Sequence, residues 1–437
     1  MVSRIRLAQL SIWLIVVFPV LQLGQYGPAR FGAPIAAGIL ALYAVPNRRA
    51  PRLIAIYFAV LFFVTFVVHS GDLRLYGAMT AAALPAAVLG YSADPPLHLR
   101  LIRTIVIAGL VETGIAVLEI AHGRPFIGAP TTEVTVDQTN QVVHALHRAQ
   151  GTLGHPLALA VLLTLGLAAV IYVPGIIRHR TPAIAVLLVG GVLTGSRSSL
   201  AIMALLLIAS SHGRTRIVRT AYRGALAVIL LGLIGFWQSN LVTRFMTGDS
   251  LGHRGQSIRA VPSLLHQPLR ALVIGHGYWF GPTAYKVGLL PDKGFHAVDN
   301  QFVTSLIESG VVGLGLLAGI LWLAFRHAGY LRPLVFTIAA SLLMFDVLSW
   351  PSMAYLLFLT VGLALAQPAS LTMFGGRFGA DQHPPVVVAD GPRFGVSSRP
   401  AWERLSPEPV RELDSRPGPL GDGRRYQRSV APPPPGA

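Results

Sequence analysis

The chain has 437 residues, of which 53% are hydrophobic and 12% charged, a composition too apolar for an ordinary soluble domain. Its formal net charge of +17 comes almost entirely from arginine. No basic stripe with interleaved aromatic residues forms a domain of its own, which argues against nucleic acid as a partner. The absence of cysteine excludes disulfides, thiolate metal sites and a cysteine nucleophile.

Apolar runs near the length of a bilayer crossing recur through the first 370 residues. They predict an all-α, polytopic integral membrane protein with about twelve transmembrane helices. The first run lacks a small-residue cleavage site, so we interpret it as an uncleaved span rather than a signal peptide. Arginine-rich and arginine-poor short loops alternate, which predicts a multi-pass membrane protein with both termini in the cytoplasm. We expect the membrane to be the cell (inner/plasma) membrane. In chain order the predicted spans are about 7–23, 31–45, 53–68, 75–90, 104–121, 156–173, 183–193, 200–210, 225–236, 300–325, 333–348 and 353–365.

These spans divide the chain into a membrane domain, 1–367, and a tail, 368–437. The membrane domain has large external loops at about 122–154 and 238–298. The tail is rich in proline and arginine and shows no helical apolar stripe, so we expect a disordered cytoplasmic extension. Two interpretations of it remain open, a plain solvated tail and a docking segment for a cytosolic partner.

The fifth predicted span carries the first charges that lie well within an apolar run, Glu112 and Glu119. Their spacing of seven residues puts them on one helical face. A short polar hinge, 194–199, separates the seventh span from the eighth and contains Arg197. An arginine at such a place must reach the interface, pair with a carboxylate or bind an anion, and its fork of donors suits phosphate.

Two external segments bring further cations. The first large loop ends in RAQGTLGHP, where Arg148 and His155 either start a helix or face a substrate. The second large loop contains Arg254 and Arg259 in a strongly basic stretch that would attract a phosphorylated lipid head group. The GHGYWFG sequence in that loop predicts a tight turn, with Tyr278 and Trp279 at the membrane interface or stacked on a sugar.

The stretch 293–321 turns from polar to apolar, which predicts a membrane helix that begins at the external surface. Asp299 is the best general-base candidate there, because a nearby apolar wall raises the pKa of a carboxyl group, and His296 is the alternative. Asn300 lies beside the base and Glu308 lies deeper on the same helix. Glu308, Glu112, Glu119 and Asp346 are equally interpretable as structural carboxylates.

Four stretches of the chain, taken together and in order, resemble the O-antigen ligase and polymerase family of bacterial membrane glycosyltransferases. They are RAQGTLGHP, LTGSRSS, HRGQSIRAVPSLLHQPLRALVIGHGYWFG and VDNQFVTSLIESGVVGLGLL. The resemblance covers roughly 148–317 and implies transfer of a glycan from an undecaprenyl-diphosphate carrier to an acceptor glycan or glycolipid, with no cofactor and no metal. In ligases the last motif begins His-Asn, whereas here it begins Asp299-Asn300 at the same spacing from Gly310 and Gly313. That departure favours a polymerase, or a ligase for another surface glycan.

This resemblance implies a role for each candidate residue. Arg197 and Arg254 would bind the carrier diphosphate, with Arg148 and Arg259 as supporting cations. Asp299 would activate the acceptor hydroxyl, and Asn300 would hold the sugar or the carboxylate. A multi-span transporter or a flippase of lipid-linked oligosaccharides is the alternative, since about twelve spans and buried acids also suit an ion-coupled carrier.

Overall fold

The computed structural model describes residues 2–17, 31–45, 51–68, 71–124, 140, 142–143, 146–211, 260–290 and 298–366. Helices account for most of these residues, and no β-strand occurs among them. The predicted all-α class is thereby confirmed for the described part of the chain. The predicted tail, 368–437, lies outside the described residues.

The described helices are numbered here in chain order, and an aspartate caps the start of the fourth. The carboxylate of Asp72 accepts hydrogen bonds from the backbone N–H groups of Arg74 (2.8 Å) and Leu75 (3.0 Å), and so starts the fourth helix. The helices are α1 Val2–Val17, α2 Gly32–Ala44, α3 Arg52–Val68, α4 Leu73–Tyr91, α5 Pro95–His122, α6 Pro156–Tyr172, α7 Arg180–Leu193, α8 Arg197–Ser211, α9 Val261–Leu265, α10 Leu269–Ile274, α11 Gly281–Lys286, α12 Gln301–His327, α13 Arg332–Leu342 and α14 Pro351–Leu365. Short 3-10 turns occur at Gly151–Leu153, Gly329–Leu331 and Val347–Ser349.

Helix α5 begins earlier than the sequence predicts. Asp94 caps it by accepting from the N–H of Leu97 at 2.9 Å, and Pro95 occupies the first helical position, where its missing N–H is harmless. Arg100 and Arg103, which fall between the predicted fourth and fifth spans, therefore lie on the helix. Gly123 ends α5 in the left-handed conformation (φ 75°).

Three helices, α4, α5 and α12, are long and apolar enough to cross a membrane. Seven further apolar helices have only 10 to 17 residues, whereas a straight crossing needs about 20 residues at 1.5 Å each. The predicted span at about 225–236 lies outside the described residues. The expected number of about twelve spans is therefore not supported, because most of the apolar runs form helices shorter than a bilayer.

The core forms where small residues let helices approach closely. A Cβ atom at Gly90 of α4 would meet the backbone of Leu359 and Leu363, and one at Gly362 of α14 would meet the backbone of Ala87. Helices α4 and α14 thus pack backbone to backbone, as membrane helices with small residues commonly do.

Helix α12 is broken within its run. Gly310 has φ 62° and ψ −165°, a conformation that essentially only glycine adopts, so the 27 residues form two helical pieces. The break frees carbonyl groups, and the loop after α10 supplies their donors. The N–H of His276 donates to the carbonyl of Ile307 (2.9 Å), and the N–H of Gly277 donates to that of Glu308 (2.8 Å).

The ends of several helices, with the loops that join them, lie at one end of the bundle, which we call the loop end. The loop end comprises residues 148–155, 194–197, 276–280, 298–300 and 343–350. Hydrogen bonds join these segments to one another and to neighbouring helices. They include Ala149 N–H to Leu193 O (2.9 Å), the Tyr278 hydroxyl to Leu348 O (2.7 Å), Leu348 N–H to Gln301 Oε1 (2.7 Å) and the Thr152 hydroxyl to Val16 O (3.2 Å).

Candidate functional site

The loop before α6 is held by the two buried glutamates of α5. Glu119 Oε2 accepts from the N–H groups of Gln150 and Gly151, each at 2.9 Å. Glu112 accepts from the N–H of Thr152 at 2.9 Å and also from the Thr152 hydroxyl. The prediction that both glutamates share a helical face is confirmed, and their contacts are those of structural carboxylates that position this loop.

Arg148 lies at the start of the same loop and is 8% exposed. Its Nε donates to the carbonyl oxygen of Thr194 at 3.1 Å, just past the end of α7. A cation at that place satisfies a carbonyl group and opposes the negative end of the helix dipole. Arg148 therefore helps to hold the hinge that carries Arg197.

Arg197 is the first residue of α8 and is partly exposed. The predicted hinge between two short helices is confirmed, with Gly195 in the left-handed conformation at φ 64°. Ser198 and Ser199 follow Arg197 and line a small pocket of about 10 Å³, space for roughly one water molecule, whose other walls include Leu157 of α6 and Phe345. Arg197 is thus placed beside a pocket at the loop end.

His155 caps helix α6 and packs against two aromatic rings. Its Nδ1 accepts from the N–H of Leu157 at 3.2 Å, and its ring is stacked on Phe345 (centroids 5.5 Å apart) and tilted against Trp350 (4.8 Å). Burial lowers the pKa of His155 to about 3, and the positive charge of Arg148 adds to the effect. The imidazole is therefore neutral at pH 7, and since Nδ1 is an acceptor, the proton lies on Nε2.

Asp299 and Asn300 have different surroundings, although they are adjacent. Asn300 is 4% exposed, and its side-chain oxygen accepts from the N–H groups of Phe302 (3.0 Å) and Val303 (3.2 Å). Asn300 is thus the N-cap of α12, and the carboxamide oxygen that we expected to hold a sugar or the carboxylate is engaged by the helix. Asp299 is partly exposed at the loop end.

Asp346 lies in the 343–350 segment and interacts electrostatically with Asp299. The Ser349 hydroxyl donates to Asp346 Oδ2, while Oδ1 is buried and accepts no hydrogen bond from the described residues. Burial raises the pKa of Asp346 to about 7; the bond from Ser349 opposes this, and the charge of Asp299 adds to it.

Glu308, Tyr278 and Trp279 form one structural group. The carboxylate of Glu308, which is 4% exposed, accepts from the N–H of Trp279 at 2.7 Å. Tyr278 is only 1% exposed, and burial raises its pKa well above the ordinary value. Its expected place at the membrane interface or on a sugar is wrong, because the tyrosine packs within the bundle. Trp279 is partly buried and has a positive φ of 69°, which this tight turn requires.

The remaining predicted site residues, Arg254, Arg259 and His296, lie outside the described residues. Sequence reasoning missed Phe345, Trp350 and Gln301, which bind the 343–350 segment to His155 and to α12. Among the residues that the structure describes, no group of three or more His, Asp or Glu side chains is arranged to hold a metal ion.

The loop end therefore combines two arginines, a neutral histidine and the carboxyl groups of Asp299 and Asp346. Arg148 and Arg197 share the α7–α8 hinge, and Phe345 touches His155 and lines the pocket next to Arg197. Phe345 is followed directly by Asp346, the neighbour of Asp299. Chemically, such a set can bind an anion and accept a proton from a hydroxyl group.

A scan of the chain against protein-family models finds no match. A search among curated proteins likewise finds no significant match.

Proposed function

We propose that this chain is a multi-pass membrane glycosyltransferase of the O-antigen ligase and polymerase type. In this proposal it resides in the plasma membrane and joins a glycan from an undecaprenyl-diphosphate carrier to a sugar hydroxyl at the external face. Polymerisation of a surface polysaccharide is favoured over ligation, because Asp299 stands where ligases have a histidine.

The observation that carries the proposal is the gathering of complementary groups at one end of an apolar helical bundle. The hinge with Arg197, the loop with Arg148 and His155, and the segment with Asp299 all contact or adjoin residues 343–350 or their pocket. An enzyme that acts on a lipid-linked substrate needs such a polar site at the edge of the bilayer.

The chemistry follows from these groups. Asp299 accepts the proton of the acceptor hydroxyl as its oxygen bonds to the anomeric carbon. The bond from that carbon to the diphosphate oxygen breaks, and the electron pair leaves with the diphosphate. Arg197 and Arg148 stabilise the developing charge, which is the part that a metal ion takes in other glycosyl transfers. Displacement from the opposite side inverts the configuration at the anomeric carbon.

The purified protein in proteoliposomes, supplied with a lipid-diphosphate oligosaccharide, tests the proposal by the mass of the lipid-linked product. A polymerase yields ladders of lengthened glycan, and a ligase releases carrier lipid only when a separate acceptor is added. Asp299→Asn and Arg197→Ala should each reduce product formation by at least about 100-fold, the scale of a lost general base or charge stabiliser.

Arg326→Ala is the matched control, because it removes the same charge from the exposed end of α12 and should keep full activity. Full glycan assembly by well-inserted Asp299→Asn and Arg197→Ala variants would overturn the proposal. Movement of the oligosaccharide across the bilayer without any change in its mass would identify a flippase instead.

A further inference from the structure

Helices α1 and α5 lie side by side and run in the same direction. Near the start of α1, the side-chain amide of Gln9 donates to the Thr104 hydroxyl of α5 at 3.2 Å. At the loop end, Thr152 joins the same two helices, since its hydroxyl donates to Val16 O of α1 and its N–H donates to Glu112 of α5. The contact between Gln9 and Thr104 therefore lies toward the end of the bundle opposite the loop end.

One helical turn before this contact, each helix carries an exposed arginine. On α1, Arg6 lies three residues before Gln9. On α5, Arg100 lies four residues before Thr104, whose hydroxyl donates to the Arg100 carbonyl at 2.8 Å. Both spacings place the arginine on the helix face that makes the contact, and Arg103 is exposed three residues further along α5. None of the described acidic side chains forms an ion pair with these three arginines.

Exposed apolar side chains continue from these arginines toward the middle of the bundle. Leu10 follows Arg6 by four residues, and Ile107 follows Arg103 by four residues. Helix α5 has 28 residues and is about 42 Å long at about 1.5 Å per residue, whereas the hydrocarbon layer of a bilayer is about 30 Å thick. Its first turns thus reach the head-group level, and arginine side chains extend there from slightly deeper positions.

We propose that Arg6, Arg100 and Arg103 bind the phosphate head group of an anionic phospholipid, in the leaflet where α1 begins. The guanidinium groups offer paired donors to the phosphate oxygens, and the acyl chains lie along the apolar face that contains Leu10 and Ile107. A zwitterionic lipid brings its own cation, which the three arginines repel, so the site prefers an anionic lipid. This lipid site does not depend on the proposed function.

Native mass spectrometry of the full chain in detergent tests the inference. Titration with phosphatidylglycerol or with phosphatidylcholine gives the dissociation constant of the first bound lipid. We expect tighter binding of phosphatidylglycerol by the wild type. Arg6→Gln and Arg100→Gln should each raise its dissociation constant by about fivefold, the scale expected when one cation near an anionic lipid is removed. Arg6→Lys and Arg100→Lys keep the charge and should lose less.

Arg326→Gln is the matched control, because it removes an exposed arginine from the same end of the bundle but from α12. This variant should bind phosphatidylglycerol as the wild type does. An equal loss in Arg326→Gln would indicate diffuse attraction by surface charge and overturn the site, as would equal wild-type affinities for the two lipids. Inorganic phosphate bound as tightly as phosphatidylglycerol would identify a site for free phosphate and overturn the lipid assignment.

Discussion

At the scale of single residues, the buried acids of this protein differ in the donors that their carboxyl groups bind. Glu112, Glu119 and Glu308 each accept at least one backbone N–H from a loop that passes the bundle. The carboxylates thereby satisfy donors that would otherwise be unpaired in an apolar surrounding. The carboxyl group of Asp346 instead accepts from the hydroxyl of Ser349, three residues away in its own segment.

The contacts of Glu119 lead to a stability prediction. Glu119→Leu leaves the N–H groups of Gln150 and Gly151 without their acceptor, and we expect it to lower the free energy of unfolding by about 1–3 kcal/mol per unpaired group. Glu119→Gln keeps a carbonyl acceptor and should lose less than half as much. Thermal unfolding in detergent measures both, and equal melting temperatures for the two variants would contradict the assignment.

His155 leads to a prediction about pH. Its pKa of about 3 in the folded protein lies below the ordinary value of 6.5. Between these two pH values the unfolded chain binds a proton on His155 that the folded chain does not bind. The stability that depends on His155 is therefore complete above about pH 6.5 and is lost progressively as the pH falls toward 3. In His155→Asn, which can still cap α6, the melting temperature should fall less between pH 7 and pH 5 than in the wild type. Parallel curves for the two proteins would refute this.

At the scale of elements, the break in α12 connects this helix to the loop that carries Tyr278 and Trp279. A Cβ atom at Gly310 would meet the backbone of Val273, and one at Gly275 would meet the backbone of Glu308. The two glycines thus allow α10 and α12 to touch along their backbones. The same contact brings the loop N–H groups to the freed carbonyls and the N–H of Trp279 to the Glu308 carboxylate.

Gly310→Ala should therefore destabilise the protein strongly. The backbone conformation alone costs a non-glycine residue about 1–3 kcal/mol, and the clash with Val273 adds to it. Gly315→Ala is the matched control on the same helix, since its Cβ would meet nothing within 4 Å and alanine favours a helix by up to about 1 kcal/mol. Melting temperatures in detergent should fall for the first variant and hold or rise for the second. A fall of equal size in both would show that the break at Gly310 is not required.

At the scale of the whole molecule, large apolar side chains remain exposed on the outer faces of several helices. Phe63 of α3 is 59% exposed and Val111 of α5 is 44% exposed. In water such faces would associate, whereas in a bilayer the lipid chains cover them. This exposure agrees with three helices that are long and apolar enough to cross a membrane.

The absence of native cysteine makes this membrane arrangement directly testable. Phe63→Cys and Val111→Cys should react at least about tenfold more slowly with a membrane-impermeant maleimide than Arg124→Cys, because a thiolate does not form in hydrocarbon. Arg124 is exposed just past the end of α5 and is the control for an aqueous position. Equal labelling rates for the three variants in opened membrane vesicles would contradict burial of these faces in lipid.

The sequence by itself determined the helical class, the hinge before Arg197 and the shared face of Glu112 and Glu119. These features depend on periodicity and on contacts within a few residues, which a linear pattern contains. The number of membrane spans could not be predicted in the same way, because an apolar run predicts burial but not the length of the helix that forms.

Only the tertiary structure decided which loops meet and what each polar group binds. Glu119 reaches a loop 31 residues away, and the Tyr278 hydroxyl reaches a carbonyl 70 residues away. No local pattern indicates such partners, and for that reason Tyr278 was interpreted as an interfacial aromatic residue. The physical reason is that a polar group in an apolar bundle takes whichever partner the fold brings within hydrogen-bonding distance.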